Sequence, residues 1–307
     1  MAHDQAAGLR RMMGQPQGAR ALGLFGTQAV PTALVCACLA QALSARGSDV
    51  WILDEAPAPL DVAAQFGRLA PVSLEEVLNR GEPVLNALTE LIPGVHCLPL
   101  STGNVRPDML AGERWHRVIE SLKVWTEPPQ FLLIHPARGD ATESLALGAA
   151  ERLLVLTLGR VERTRAYALL KQLHRVQPAA RWWVVILGHA DGRGAQETFA
   201  ALEATARRFL GVALQWLGAV PLDEGFMALR RGVSSVQALP RDRPVTRAFR
   251  QLAEALAAAP ACADAYPHEA FWLKMWALGR MIDGGARLGP SLRPLHPPPM
   301  NPSVKRA

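Results

Sequence analysis

Residues 22–33, Leu-Gly-Leu-Phe-Gly-Thr-Gln-Ala-Val-Pro-Thr-Ala, pass from an apolar run into a segment of helical period. This is the layout of a loop that holds phosphate between a strand and a helix. Such a loop works because glycines let backbone N–H groups approach the phosphates, a lysine balances their charge and a Ser or Thr hydroxyl binds Mg²⁺. Gly26 is present, but no lysine occurs between residues 1 and 122, and Pro31 deletes a backbone donor inside the loop. Two more polar residues follow apolar runs: Asp54 after Val50–Leu53 and His135 after Phe131–Ile134. The ends of parallel strands are where α/β proteins place their chemistry. Asp54 reads as a strand-end cap rather than a metal ligand. His135 reads either as a general base or as a tolerated replacement, since Pro136 and Arg138 follow it and no carboxylate or nucleophile is suggested nearby. His189 and Asp191 carry the same two readings.

The elements that must position these residues are legible as an alternation. Short apolar runs occur at Ala21–Phe25, Val50–Leu53, Val95–Pro99, Phe131–Ile134, Leu153–Leu158, Trp182–Leu187 and Leu214–Val220. Their hydrophobicity is continuous rather than alternating, which predicts strands covered on both faces. Segments of helical period lie between them, among them Thr32–Arg46, Thr142–Ala150, Thr164–Val176 and Ala195–Leu210. The pattern predicts an α/β fold, a doubly wound, mostly parallel sheet flanked by helices, over residues 20–260. Residues 1–19 read as a short helix opened by Asp4, then a flexible Gly14–Gly18 linker. Residues 261–285 hold an aromatic and Met-rich helix candidate. Residues 286–307, rich in Gly, Pro and Arg, have the composition of a disordered tail.

Bulk properties exclude several classes. Half of the 307 residues are apolar, enough for a core without disulfides or metal. Cys36, Cys38, Cys97 and Cys262 include no CxxC pair and read as thiols in a reducing cytosol. Asp4, Arg10 and Arg11 with no apolar stretch do not make a signal peptide, and no run approaches a membrane span. The net charge of +6 is distributed, with arginine far outnumbering lysine, and no basic stripe interleaved with aromatics predicts nucleic-acid binding.

Several motifs in order carry a resemblance. Asp4-Gln5-Ala6-Ala7-Gly8-Leu9-Arg10-Arg11-Met12 matches an Asp-Gln-Ala-x-x-Leu-Arg activator motif. Ser101-Thr102-Gly103 follows the third strand, and Ala166-Tyr167-Ala168-Leu169-Leu170-Lys171 lies on a helix. Pro221-Leu222-Asp223-Glu224 makes a turn after a late strand, and Ala248-Phe249-Arg250 falls in the closing helix. Through these motifs the chain resembles, nearly end to end, the MinD/ParA superfamily of P-loop ATPases and within it the FlhG (FleN) regulators of flagellar number.

The departures from that family concentrate on nucleotide chemistry. Its deviant Walker A loop, Gly-Lys-Gly-Gly-Val-Gly-Lys-Thr, falls on Gly26-Thr27-Gln28-Ala29-Val30-Pro31-Thr32-Ala33. The resemblance thus puts Thr27 in place of the signature lysine, Thr32 in place of the phosphate lysine and Ala33 in place of the Mg²⁺-binding hydroxyl. Asp54 keeps the first acid of the family's Asp-Ala-Asp, Ala56 replaces the second, and His135 replaces the Walker B aspartate. The adenine-contacting asparagine falls on Ile186 or Leu187. ATP and Mg²⁺, expected of the family, thereby lose their ligands, at ~1.5–3 kcal/mol per charge-assisted hydrogen bond. The sequence therefore implies a pseudo-ATPase with no cofactor and no ATP-sandwich homodimer, against the alternative of a rewired ATPase.

What the resemblance implies instead is action through protein contacts. Asp4, Gln5, Leu9, Arg10, Arg11 and Met12 would dock on the SRP-type GTPase FlhF, with Gln5 serving hydrolysis. An alternative is a scaffold or anti-activator that binds a flagellar transcription activator or basal-body component without activating a GTPase. Phe271, Met275, Leu278 and Ile282 fall on one stripe with Trp272 and Trp276 beside it. That helix either lies on a membrane, giving weak peripheral contact at the inner membrane or pole of the cytoplasm, or packs back on the domain.

Overall fold

The computed structural model describes residues 19–69, 72–100, 129–137, 144–176, 178–188 and 193–262. The strands are β1 (Arg20–Gly26), β2 (Val50–Asp54), β3 (Thr89–Ile92), β4 (Val95–Pro99), β5 (Phe131–His135), β6 (Glu151–Thr157), β7 (Arg181–Gly188) and β8 (Leu214–Pro221). The helices are α1 (Ala29–Ser44), α2 (Val62–Gln65), α3 (Leu74–Arg80), α4 (Arg160–Val176), α5 (Arg193–Leu210), α6 (Glu224–Arg230) and α7 (Pro244–Ala258). The strands make one sheet in the order β3-β4-β2-β5-β1-β6-β7-β8. Every pairing is parallel except β3 with β4. The doubly wound α/β sheet expected from the apolar runs is therefore the architecture.

Alternate residues of each strand feed two cores. Phe25, Leu53, Ile134, Leu154, Trp182 and Val184 face one, with Leu169 and Leu173 of α4 and Leu202 of α5. Leu24, Ile52, Leu133, Val155, Trp183 and Val185 face the other, with α1, Phe226 of α6 and Phe249 and Leu252 of α7. Both faces are covered, so the strands can be apolar throughout; β2 and β5 are buried at every position. α1 is itself buried on nearly all sides, between the sheet and α7. Cys36 and Cys38 point different ways on it, yet both are buried for that reason.

Three elements differ from the expected pattern. β3 is absent from the apolar runs because an edge strand of four residues, mostly half-exposed, offers no continuous run. Its turn into β4 is Pro93-Gly94, with Gly94 at φ +76°. The segment expected as helix Thr142–Ala150 is, over its described residues, a single 3₁₀ turn, Leu145–Gly148, capped by the Ser144 hydroxyl. α1 begins at Ala29 rather than Thr32, which bears directly on the site.

At the floor of the sheet a buried ion network fixes the chain's approach to residue 262. Arg20 Nε and Nη2 donate to the Glu151 carboxylate at 2.9 and 2.7 Å, and Trp183 Nε1 donates to it at 2.7 Å. Arg20 Nη1 also donates to the carbonyls of Leu256 and Ala259, and Cys262 N donates to Glu151.

Candidate functional site

Parallel sheets place ligands beyond the carboxyl ends of the strands, where neighbouring connections leave in opposite directions. Here that point is β1: the chain leaves it for β2 on one side, and β6 to β8 extend on the other. The connection from β1 to α1 is two residues, Thr27 and Gln28. Thr32 N–H donates to the Gln28 carbonyl at 3.3 Å, and the Thr32 hydroxyl donates to the same oxygen at 2.6 Å. Thr27 N–H donates to the Val155 carbonyl at 3.2 Å, and Gln28 Nε2 to the Thr157 hydroxyl at 3.2 Å. Thr32 and Ala33, at the phosphate-lysine and Mg²⁺-ligand positions, are buried helical residues.

Gly26 is packed against the chain's own helix α1. A Cβ built there would lie 1.9 Å from Thr32 Oγ1, so the glycine makes room for the Thr32 side chain. The position that would hold a phosphate's amide cradle is thus filled by helix α1 itself, and Pro31 contributes no donor there. The residues present do not fit a magnesium-bound triphosphate.

Across the mouth of this connection stands Glu162, in the first turn of α4 and 8% exposed. Burial pushes its carboxyl up, but the side chains of Thr27, Gln28 and Arg165 outweigh that and hold it below the ordinary carboxylate range. Arg165 Nη1 donates to it at 2.7 Å. A fixed anion therefore sits against the residues where an incoming phosphate would need positive charge.

Asp54 and His135 meet. They stand opposite each other in the β2–β5 register, and His135 Nδ1 lies 2.9 Å from Asp54 Oδ1. This corrects the expectation that His135 has no carboxylate partner. Asp54 also accepts from Ala56 N at 3.1 Å and from Val62 N at 2.5 Å, where α2 begins. The strand-end cap reading of Asp54 holds, and Ala56 supplies one of the capped amides. At 1% and 3% exposure, Asp54 and His135 are a buried tie between two strand ends and α2 rather than a dyad facing a ligand.

Glu55, which the motifs did not single out, joins the same edge. Its Oε1 accepts from Leu145 N at 2.7 Å, and its own N–H donates to the His135 carbonyl at 2.9 Å. Burial pushes its carboxyl up to about 7, against the opposing hydrogen bonds from Ser144, Leu145 and Ala137 and the nearby His135. Only the neighbouring strand and the 3₁₀ turn reveal this role, because a glutamate after a strand is ordinarily a solvated residue.

Asp223, from the Pro221–Glu224 motif, accepts from Phe226 N at 2.9 Å and from Val245 N at 3.1 Å. One carboxylate therefore caps α6 and ties it to the first turn of α7. Ile186 and Leu187, at the adenine position, are fully buried on opposite faces of β7. Asp4, Gln5, Leu9, Arg10, Arg11 and Met12 lie outside the described residues, as do Ser101–Gly103, His189 and Asp191. Phe271, Trp272, Met275, Trp276, Leu278 and Ile282 also lie outside them.

Comparison with known proteins shows what the chain is similar to. No protein-family model matches the chain. The antiactivator FleN of Pseudomonas aeruginosa is 29% identical over 241 residues, spanning 77% of this chain and 85% of FleN. The chain is similar to the FleN regulators. The fold agrees. The MinC:MinD cell division complex of Aquifex aeolicus gives a TM-score of 0.60 at 17% identity, over 79% of this chain and 97% of that one. A ParA family ATPase from Chlorobium tepidum gives 0.57 at 16% identity, over 78% and 99%. The chain thus shares the sheet and winding of these structures, while its β1–α1 connection is closed by its own side chains. Among its described residues, no helix is long and apolar enough to cross a membrane.

Proposed function

We propose that this FleN/FlhG-like regulator works without a nucleotide switch, as a pseudo-ATPase acting through protein contacts. The observation that carries the reading is the start of α1 at Ala29, two residues after β1, with Thr32 packed on Gly26 where phosphate would lie. Opening that cradle would require unwinding the first turn of a buried helix, and Glu162 would oppose the incoming charge. Isothermal calorimetry of the full chain with ATP and Mg²⁺ tests it. No heat is expected, and micromolar binding would overturn the reading in favour of a rewired ATPase.

The contact that resemblance favours is Asp4–Met12 docking on the SRP-type flagellar GTPase FlhF and stimulating its hydrolysis. Titrating that GTPase with the full chain should raise its turnover, and Gln5→Ala should abolish the rise. No stimulation, or stimulation indifferent to Gln5, removes this part. A second reading has its own support, because the relative from Pseudomonas aeruginosa is named an antiactivator. On that reading the chain restrains a flagellar transcription activator, and stable capture of the activator but not of the GTPase would select it.

A further inference from the structure

The surface of α7 carries charge that the fold does not use. Arg241, Arg243, Arg247 and Arg250 are all exposed. Arg243 is the N-cap of α7, and Arg247 and Arg250 follow at spacings of four and three, which puts them on one helix face. The opposite face, with Val245, Ala248, Phe249 and Leu252, is buried in the core beneath. Arg250 Nη2 donates to the Arg241 carbonyl at 2.8 Å, and the Thr246 hydroxyl donates to the Pro240 carbonyl at 2.8 Å. These two bonds draw the preceding turn onto the helix and set Arg241 beside the stripe.

Two surface arginines on other helices have acidic partners on their own helix. Arg207 pairs with Glu203 at 2.5 Å and Arg165 with Glu162 at 2.7 Å. Neither Arg247 nor Arg250 of α7 has such a partner among the described residues. Among the described residues Arg241 and Arg247 make no ion pair, and Arg243 reaches only the exposed Glu224 at 3.8 Å. The first turn of α7 holds no acidic residue, although the helix dipole there favours one and disfavours arginine. The arrangement leaves guanidinium groups free for an outside anion.

We propose that this stripe docks a short acidic peptide segment of a partner protein. From Arg243 to Arg250 it spans about 10 Å at the helical rise of about 1.5 Å per residue. Glu224 and Asp242 stand at one end, and Glu254 one turn beyond Arg250 at the other. A nucleic-acid duplex or an anionic membrane is a continuous negative surface and would be driven against these acids. Two or three carboxylates on one face of a peptide fit between them, and arginine's planar fork suits carboxylates in pairs. This surface is independent of whether the β1–α1 site binds nucleotide.

Fluorescence anisotropy on the full chain tests the proposal. The probe is a short labelled helical peptide with three glutamates at spacings of four and three, beside its glutamine counterpart, a random DNA duplex and phosphatidylglycerol vesicles. The glutamate peptide should bind, more weakly at higher salt, and the glutamine peptide should not. Arg247→Glu with Arg250→Glu should weaken binding at least about tenfold, whereas Arg207→Glu with Arg208→Glu on α5 should leave it unchanged. Arg207 pairs with Glu203 and Arg250 donates to the Arg241 carbonyl, so each variant should lose a little stability, and binding is compared well below every melting temperature. If the first variant melts lower, Arg247→Gln with Arg250→Gln must show the same loss. No peptide binding, equal loss from the α5 pair, or tighter binding of DNA or vesicles through the same arginines would overturn it.

Discussion

Replacing Glu55 by glutamine separates its charge from its shape and tests the buried edge that closes the site. In the folded chain its carboxyl titrates near 7 rather than 4.5, chiefly because burial penalises the charged form. A group whose folded pKa is raised holds its proton longer in the folded state, so it favours folding at low pH. That advantage is fully present below about 4.5 and is lost as pH rises to about 7. At about 1.4 kcal/mol per pH unit, the loss amounts to about 3 kcal/mol. Glu55→Gln keeps the oxygen that accepts from Leu145 N and cannot ionise. It also puts an amide NH₂ where the protonated acid has a hydroxyl or bare oxygen, a cost of about 1 kcal/mol at every pH. The variant should therefore match the parent at pH 5 and be more stable by about 2 kcal/mol at pH 8. Urea unfolding of both proteins at intervals between these limits gives the difference directly. Subtraction removes the shared titration of His96, raised by Asp49, and of Asp61, raised by burial. A difference that stays flat from pH 5 to pH 8, or a variant that becomes relatively less stable as pH rises, would refute the reasoning.

Other perturbations probe the same construction. Gly26→Ala should cost about 1–3 kcal/mol by overpacking against Thr32, and adding Thr32→Ala should recover much of it, which urea unfolding of the double-mutant cycle would read as a coupling between the two sites. Glu151→Ala leaves Arg20 buried without its carboxylate and Trp183 Nε1 without its acceptor, so denaturant unfolding should show a loss of about 3–5 kcal/mol.

The apolar runs already disclosed the parallel sheet, because a strand covered on both faces must be apolar throughout and is bounded by turns. They missed β3, whose half-exposed edge carries no such run, and they set α1 three residues late. The late start was decisive for the site. Read along the sequence, Gly26 to Ala33 is a cradle with poor ligands; folded, Ala29 is already helical and Thr32 fills the glycine's space. Local sequence did not reveal this, since Thr32 is held by a bond to Gln28 within a helix pressed between the sheet and α7.

What the sequence determined by itself was the resemblance and the loss of charge at its centre: Thr27, Thr32, Ala33, Ala56 and His135 are read from residue types in order. What only the tertiary structure decided was what those residues do now. His135 meets Asp54 because β2 and β5 are neighbours in register, a pairing between residues 81 apart. Glu162 stands near Thr27 and Gln28 because β6 lies beside β1 and delivers α4 to the same edge. Glu55 is buried because the Leu145–Gly148 turn covers it. Strand adjacency sets which side chains share a dry space, and the cost of burying a charge there turned leftover residues into a closed edge.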